Sequence, residues 1–217
     1  MKFNITEPIK NIYHMNFGKQ KDLCETFMRF QEFFESPQFR GKFFSIKAYK
    51  DWYRKTSPKG KKTGRFTYNK DWSGFNIPSY ILQPFKEGKF DPLSKKEKLF
   101  LKEFADKDGR FYIIGTFGSI NLSTLAHEMA HALFYTESTY REKMIKLINN
   151  IPEKDLKKIH DHLGASGGYH PEVFEDETHA YVTINMEQLE KRHKISSEEL
   201  WDIHRKMKRV FERYRSK

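Results

Sequence analysis

A chain of 217 residues with 20 Phe, 11 Tyr and 3 Trp holds enough large side chains for one well-filled core, and a second full domain would leave both under-filled. Forty Lys and Arg against 29 Asp and Glu give a formal charge of +11, which favours anionic partners without specifying a fold, while the 32% of charged residues is scattered among aromatics and excludes wholesale disorder. The lone Cys24 excludes an intramolecular disulfide and suits a reducing compartment, MKFNITEPIKNIYH lacks the apolar centre of a signal peptide, and no run approaches the ~18 apolar residues of a membrane span, so a soluble, cytoplasmic protein is expected.

In chain order, Leu23, Phe27, Phe30 and Phe34 fall on one face of a helix from Lys19 to Ser36, ended by Pro37. Ser45 can cap a short helix carrying Tyr49, Trp52 and Tyr53, and the basic stretch from Ser57 to Gly64 reads as an exposed loop. The segment RFTYNKDWSGFNIP, Arg65 to Pro78, predicts a small hairpin or strand pair. Pro78 can open a brief helix through Phe85, and Ser94 with Glu97 makes a capping box for a helix to about Ala105. Phe111 to Phe117, FYIIGTF, is the best strand in the chain. After a helix bearing HEMAH, Thr139 with Glu142 predicts another capping box, Pro152 begins a helix, and Gly164 to Gly168 form a loop. Helix restarts at His170-Pro171 and runs to Lys191, and Ser196 with Glu199 caps a last basic helix. The sum is a single compact α+β domain over 1–217, mainly helical with a small sheet.

HEMAH spans His127 to His131. On a helix, residues four apart share a face, so the two imidazoles can reach one ion at about 2.0–2.1 Å. Glu128 lies beside that face, placed to take a proton from an activated water instead of ligating the ion, so the pattern encodes a general base as well as two ligands. Asn121 or Ser123 can cap this helix, and Leu122, Leu125, Met129 and Leu133 bury it. Zn2+ suits such a set because it accepts nitrogen and oxygen and acidifies bound water, and a catalytic zinc requires a third protein ligand. The HExxHxxGxxH extension does not supply one: Phe134 stands at its glycine position and Glu137 at its third histidine.

The segment GYHPEVFEDETHAYV, Gly168 to Val182, offers Glu177, His170 and His179 as third donors. HEMAH followed by a Glu on a second helix, with Ala180 and Tyr181 three and four positions beyond it, resembles the gluzincin-type zinc metallopeptidases. That resemblance, which covers Phe111 to about Tyr181, implies a zincin-like core with one Zn2+ per chain held by His127, His131 and Glu177, and Glu128 as general base. It divides the chain into a recognisable part at 111–217 and an N-terminal part at 1–110 with no resemblance. Phe174, Glu177 and Tyr181 share a helix face, which sets the carboxylate in an otherwise apolar stripe; Glu175 and Asp176 point elsewhere and are expected to be solvated, or to hold a ligating histidine from behind. A third ligand from His170 or His179 would shift the resemblance to HExxH…H proteases of the DNA-associated Spartan type. Tyr169, Tyr181, His170 and His179 are all candidates to steady an oxyanion. In zincins an edge strand ahead of the HExxH helix pairs with substrate, and FYIIGTF could be that strand or a plain core strand.

Three functions follow: a zinc-dependent metallopeptidase acting on a peptide or protein substrate; a nucleic-acid-associated protein using KAYKDWYRKTSPKGKKTGRF, whose cations and aromatics suit a backbone and its bases; and a metal-free interaction protein on a peptidase-like fold.

Overall fold

The computed structural model describes residues 1–216, the side chains at 166, 167, 192 and 193 aside. It is mixed α+β, with helices on both faces of one four-stranded sheet. Strand β1 (Phe3–Ile9) turns at Asn11, φ 64°, into β2 (Ile12–Phe17). Helices α1 (Gln20–Glu35), α2 (Ile46–Thr56), α3 (Pro58–Thr63) and α4 (Tyr68–Asp71) lead to β3 (Phe75–Pro78). A 3-10 turn at Ser79–Leu82, α5 (Gln83–Lys86) and α6 (Lys95–Glu103) precede β4 (Tyr112–Phe117). The second half is helical: α7 (Leu122–Thr136), α8 (Ser138–Ile148), α9 (Glu153–His162) continuing into a π-turn at Leu163–Gly167, a 3-10 turn at Pro171–Val173, α10 (Phe174–Ile184), α11 (Met186–His193) and α12 (Glu198–Arg215). No helix among the described residues is long and apolar enough to cross a membrane.

The sheet order is β1-β2-β4-β3, with β2 and β4 parallel and both outer pairs antiparallel. Alternation along β4 separates two cores: Tyr112 and Ile114 face the aliphatic cluster of α7 to α12, and Ile113 faces the phenylalanine-rich cluster around α1. Gly115 permits the second contact, since a Cβ there would lie 2.7–2.8 Å from Leu23 and the Phe27 ring. Phe30 and Phe85 stack at 3.9 Å, as do Phe85 and Phe90, so the aromatic richness of the first hundred residues is spent on one core.

Several expectations hold locally. Ser45 accepts from the Ala48 amide, Ser94 and Glu97 form the reciprocal capping box, and α1 ends before Pro37. Others are corrected. The basic stretch after Ser57 is helix α3, closed by Gly64 at φ 66°, because Pro58 at the first turn and a left-handed glycine at the end suit a short helix. Residues 65–78 are not a hairpin: α4 and the single strand β3 share them, and β3 pairs with the distant β4. Thr139 does not cap α8, which starts at Ser138, and α12 is capped by Ser197 through the Leu200 amide rather than by Ser196. The helix expected from His170 to Lys191 breaks at Asn185 into α10 and α11. Strands β1 and β2 come in addition to the expected elements.

FYIIGTF is an interior strand. With β2 on one side and β3 on the other, β4 has no open edge, and the outer strand on this side of the sheet is β3.

Candidate metal centre

Asn121 caps α7 by accepting from the Ser123 and Thr124 amides at 2.9 and 3.1 Å. From that start the helical period brings the His127 and His131 Nε2 atoms to 3.2 Å from each other. Helix α10 lies against α7, with the fully buried Ala130, Ala132 and Ala180 in the core that joins them, and carries Glu177 to the same point. Its carboxylate oxygens lie 4.0 Å from His127 Nε2 and 3.7 Å from His131 Nε2. The three side chains offer donor atoms all within 4.8 Å of one another and could hold a metal ion. Donors at the corners of a tetrahedron with bonds of about 2.0–2.1 Å stand about 3.3 Å apart, so small side-chain movements would close this set on a cation.

The surroundings fit that use. Glu177 is 2% exposed and its Oε2 has no hydrogen-bond partner, an arrangement that an apolar interior does not tolerate without something to bind. His127 is steered from behind by Asn185 Oδ1, 2.6 Å from its Nδ1, so that ring nitrogen donates and Nε2 keeps its lone pair. Burial, helped by the neighbouring His131, pushes the His127 pKa down to about 3, which keeps the ring neutral. His131 Nδ1 stands 2.9 Å from Asp176 Oδ1 in a bent contact. Burial opposes charge on both, yet the carboxylates of Asp176 and Glu177 outweigh it and raise His131, and His131 in turn holds Asp176 below the usual carboxylate range. Asp176 is thus not a solvated carboxylate: it reaches back to a candidate ligand, while Glu175 is exposed. The contacts continue through His179 Nδ1, 3.6 Å from Asp176, to the Tyr140 hydroxyl, 2.8 Å from His179 Nε2.

This accounts for the two rival histidines. His179 is fully buried, stacked on Phe134 and tied to Tyr140, behind the donor set. His170 caps the 3-10 turn by accepting from the Glu172 amide at 3.3 Å. Neither joins the cluster.

Glu128 lies beside the three donors, 7% exposed. Its Oε2 accepts from Asn76 Nδ2 at 2.6 Å, and Asn76 Oδ1 accepts from the Tyr112 hydroxyl, so β3 and β4 aim the carboxylate. Burial raises its pKa, with His131 and the Asn76 hydrogen bond working the other way. Gly74 makes room: a Cβ there would sit 2.8 Å from Glu128 Oε1 and from Thr124 Cγ2.

A cavity of about 460 Å³ opens in front of His127, Glu128 and Glu177 and runs between α1, α2 and the 72–76 segment. Tyr169 lines it, and burial followed by the Glu177 charge raises its hydroxyl well above the ordinary tyrosine value, so it is a proton donor throughout the neutral range. Glu32 and Glu35 of α1 also line it. Sequence reasoning missed both, together with Asn76 and Asn185; the available signal was two glutamates one turn apart in a helix otherwise packed with phenylalanine. In the basic segment proposed for nucleic acid, Tyr49 and Tyr53 are 1% and 8% exposed and turned inward.

No family model, curated protein or solved structure matches this chain.

Proposed function

We propose that this protein is a zinc-dependent metallopeptidase with a zincin-like, gluzincin-type centre. The observation that carries the proposal is the convergence of His127, His131 and Glu177 from two helices, with Glu128 beside them at the mouth of a cavity. Two imidazoles and one carboxylate are a donor set zinc favours in hydrolytic sites, and a cation bound there would displace the proton that Asp176 and Glu177 favour on His131. A zinc ion held there would supply the Lewis acidity that lowers the pKa of water and polarises a peptide carbonyl. Glu128 takes the proton of the attacking water and passes it to the departing amine, a role for which its burial and single Asn76 hydrogen bond are suited. The Tyr169 hydroxyl is the donor available to a developing oxyanion.

The test joins elemental analysis to peptide cleavage. The expected result is one zinc per chain, cleavage of a mixed peptide library, and loss of both on chelation. Stoichiometric absence of metal after purification without chelator and after zinc dialysis would reject the reading.

A further inference from the structure

The chain carries +11, yet among the described residues no Lys or Arg lines the cavity, while Glu32, Glu35, Asp71, Glu128 and Glu177 all do. Asp71 is balanced by Lys59 at 2.5 Å, and Glu128 and Glu177 belong to the metal centre. Glu32 and Glu35 are left over. Among the described residues neither forms an ion pair with Lys or Arg, and the polar contact made by Glu35 is with Gln31 Nε2 at 2.5 Å. A counter-charge for the metal explains Glu35, which feels the Glu177 carboxylate, but not Glu32, whose surroundings are Tyr49, Tyr68 and Ser36 and include none of the three donors.

The walls beside Glu32 are aromatic: Tyr49 and Tyr68 lie 5.5 Å apart edge-on, with Trp52 and Tyr53 completing the surface. Tyr68 is fully buried and lines this cavity, and its hydroxyl, like those of Tyr49 and Ser36, lies beside the Glu32 carboxyl. Carboxyls without counter-ions and aromatic faces together make a receptor for an organic cation that has a long apolar stem.

We propose that this cavity is a specificity pocket for a lysine or arginine side chain of the substrate, at a residue bordering the cleaved bond, with Glu32 and Glu35 as the acidic floor and Tyr49, Trp52 and Tyr68 as the wall. The proposal rests on the metallopeptidase reading for the identity of the substrate, and binding can test it apart from cleavage. The pocket sits within reach of the donors because α1 places Glu35 near Glu177 and Glu32 one turn further away. A cationic side chain there would be held by charge-assisted hydrogen bonds in a water-poor space, and its charge would favour the ionised form of both carboxyls.

The experiment uses zinc-loaded Glu128→Gln protein and two peptides, acetyl-Ala-Ala-Lys-Ala-Ala-amide and its norleucine counterpart, with binding followed by calorimetry. The lysine peptide should bind about ten-fold more tightly, the size expected of one charge-assisted contact, and the difference should shrink to about two-fold when Glu32→Gln and Glu35→Gln are added. Equal binding of the two peptides to the Glu128→Gln protein would overturn the proposal without any variant of the pocket, so misfolding of the triple variant cannot protect it. A preference for lysine that survives both substitutions would also overturn it. If the lysine preference depends on Glu32 and Glu35 but the wild-type protein cleaves neither peptide nor any member of a basic peptide library, the pocket stands and the peptidase reading fails.

Discussion

Helix α1 carries two kinds of buried charge one turn apart, and the fold treats them in opposite ways. Arg29 is 2% exposed and meets Glu97, 1% exposed, through two hydrogen bonds of 2.7 Å from Nε and Nη2, while Nη1 reaches the Phe90 and Phe44 carbonyls and Nη2 also the Pro92 carbonyl. Glu97 also accepts from the Ser94 amide, so the pair closes the α6 cap and leaves nothing unsatisfied. Glu32 and Glu35, three and six residues later, face a cavity in which no Lys or Arg among the described residues stands opposite them. Burial pushes Glu32 up to about 7 and Glu35 well above its usual range. A buried charge given its partner by the fold serves the fold; a buried charge left without one marks a place where something else is to bind.

The comparison can be broken in order of expected effect. His127→Ala or Glu177→Ala should lower zinc content to background and cleavage by about 10⁴-fold or more, measured by elemental analysis and peptide turnover; retained stoichiometric zinc in either would separate the cluster from metal binding. Glu128→Gln should keep its zinc and lose about 10²–10⁴-fold in kcat, and a variant that cleaves like the parent would remove Glu128 from the chemistry. Arg29→Met should cost about 3–5 kcal/mol in denaturant unfolding, because Glu97 would stay buried without its cation.

Asp176→Asn should weaken zinc binding by about 10–100-fold in competitive chelator titration while the fold persists, since it alters the support of His131, and of His179 behind it, but none of the three donors. The smallest effect sharpens the contrast most. The Glu32 pKa is raised from 4.5 to about 7 in the folded chain, so its contribution to stability is fully present below pH 4.5 and is lost as pH rises to about 7. Glu32→Gln removes that slope. In chelated protein at pH 8 the variant should therefore be more stable than the parent by roughly 1–2 kcal/mol, the full shift being discounted because the carboxylate opens on a cavity, and the two should match at pH 4. Thermal melts at the two pH values decide it: equal melting at pH 8 would mean Glu32 carries no strain, whereas Arg29→Met goes the other way at every pH.

What was legible followed from local rules. HEMAH fixes its own geometry because about four residues make one helical turn, and Asn121, Ser45 and the Ser94–Glu97 box work through amides only two or three positions away. Glu177 stands out through the resemblance of its segment to the gluzincin pattern, with support from its place in an apolar stripe. The misses share a cause in the opposite direction. Strand β2 gains its identity by pairing with β4 a hundred residues later, β3 by pairing with the same strand from the other side, and the interior position of β4 depends on both. Asp176 looked solvated because α10 alone cannot show that His131 stands behind it.

By itself the amino-acid order determined the helix bearing two histidines and a glutamate, the candidate third donor, the aromatic supply for one core and an excess of positive charge. Only the tertiary structure decided that Glu177 meets His127 and His131 while His170 and His179 do not, that Asn76 aims Glu128, and that Glu32 and Glu35 face an acidic cavity in a basic chain. The physical reason is range: hydrogen-bond period and capping act over one turn of chain, whereas ligand convergence and the field inside a cavity come from segments joined only by packing.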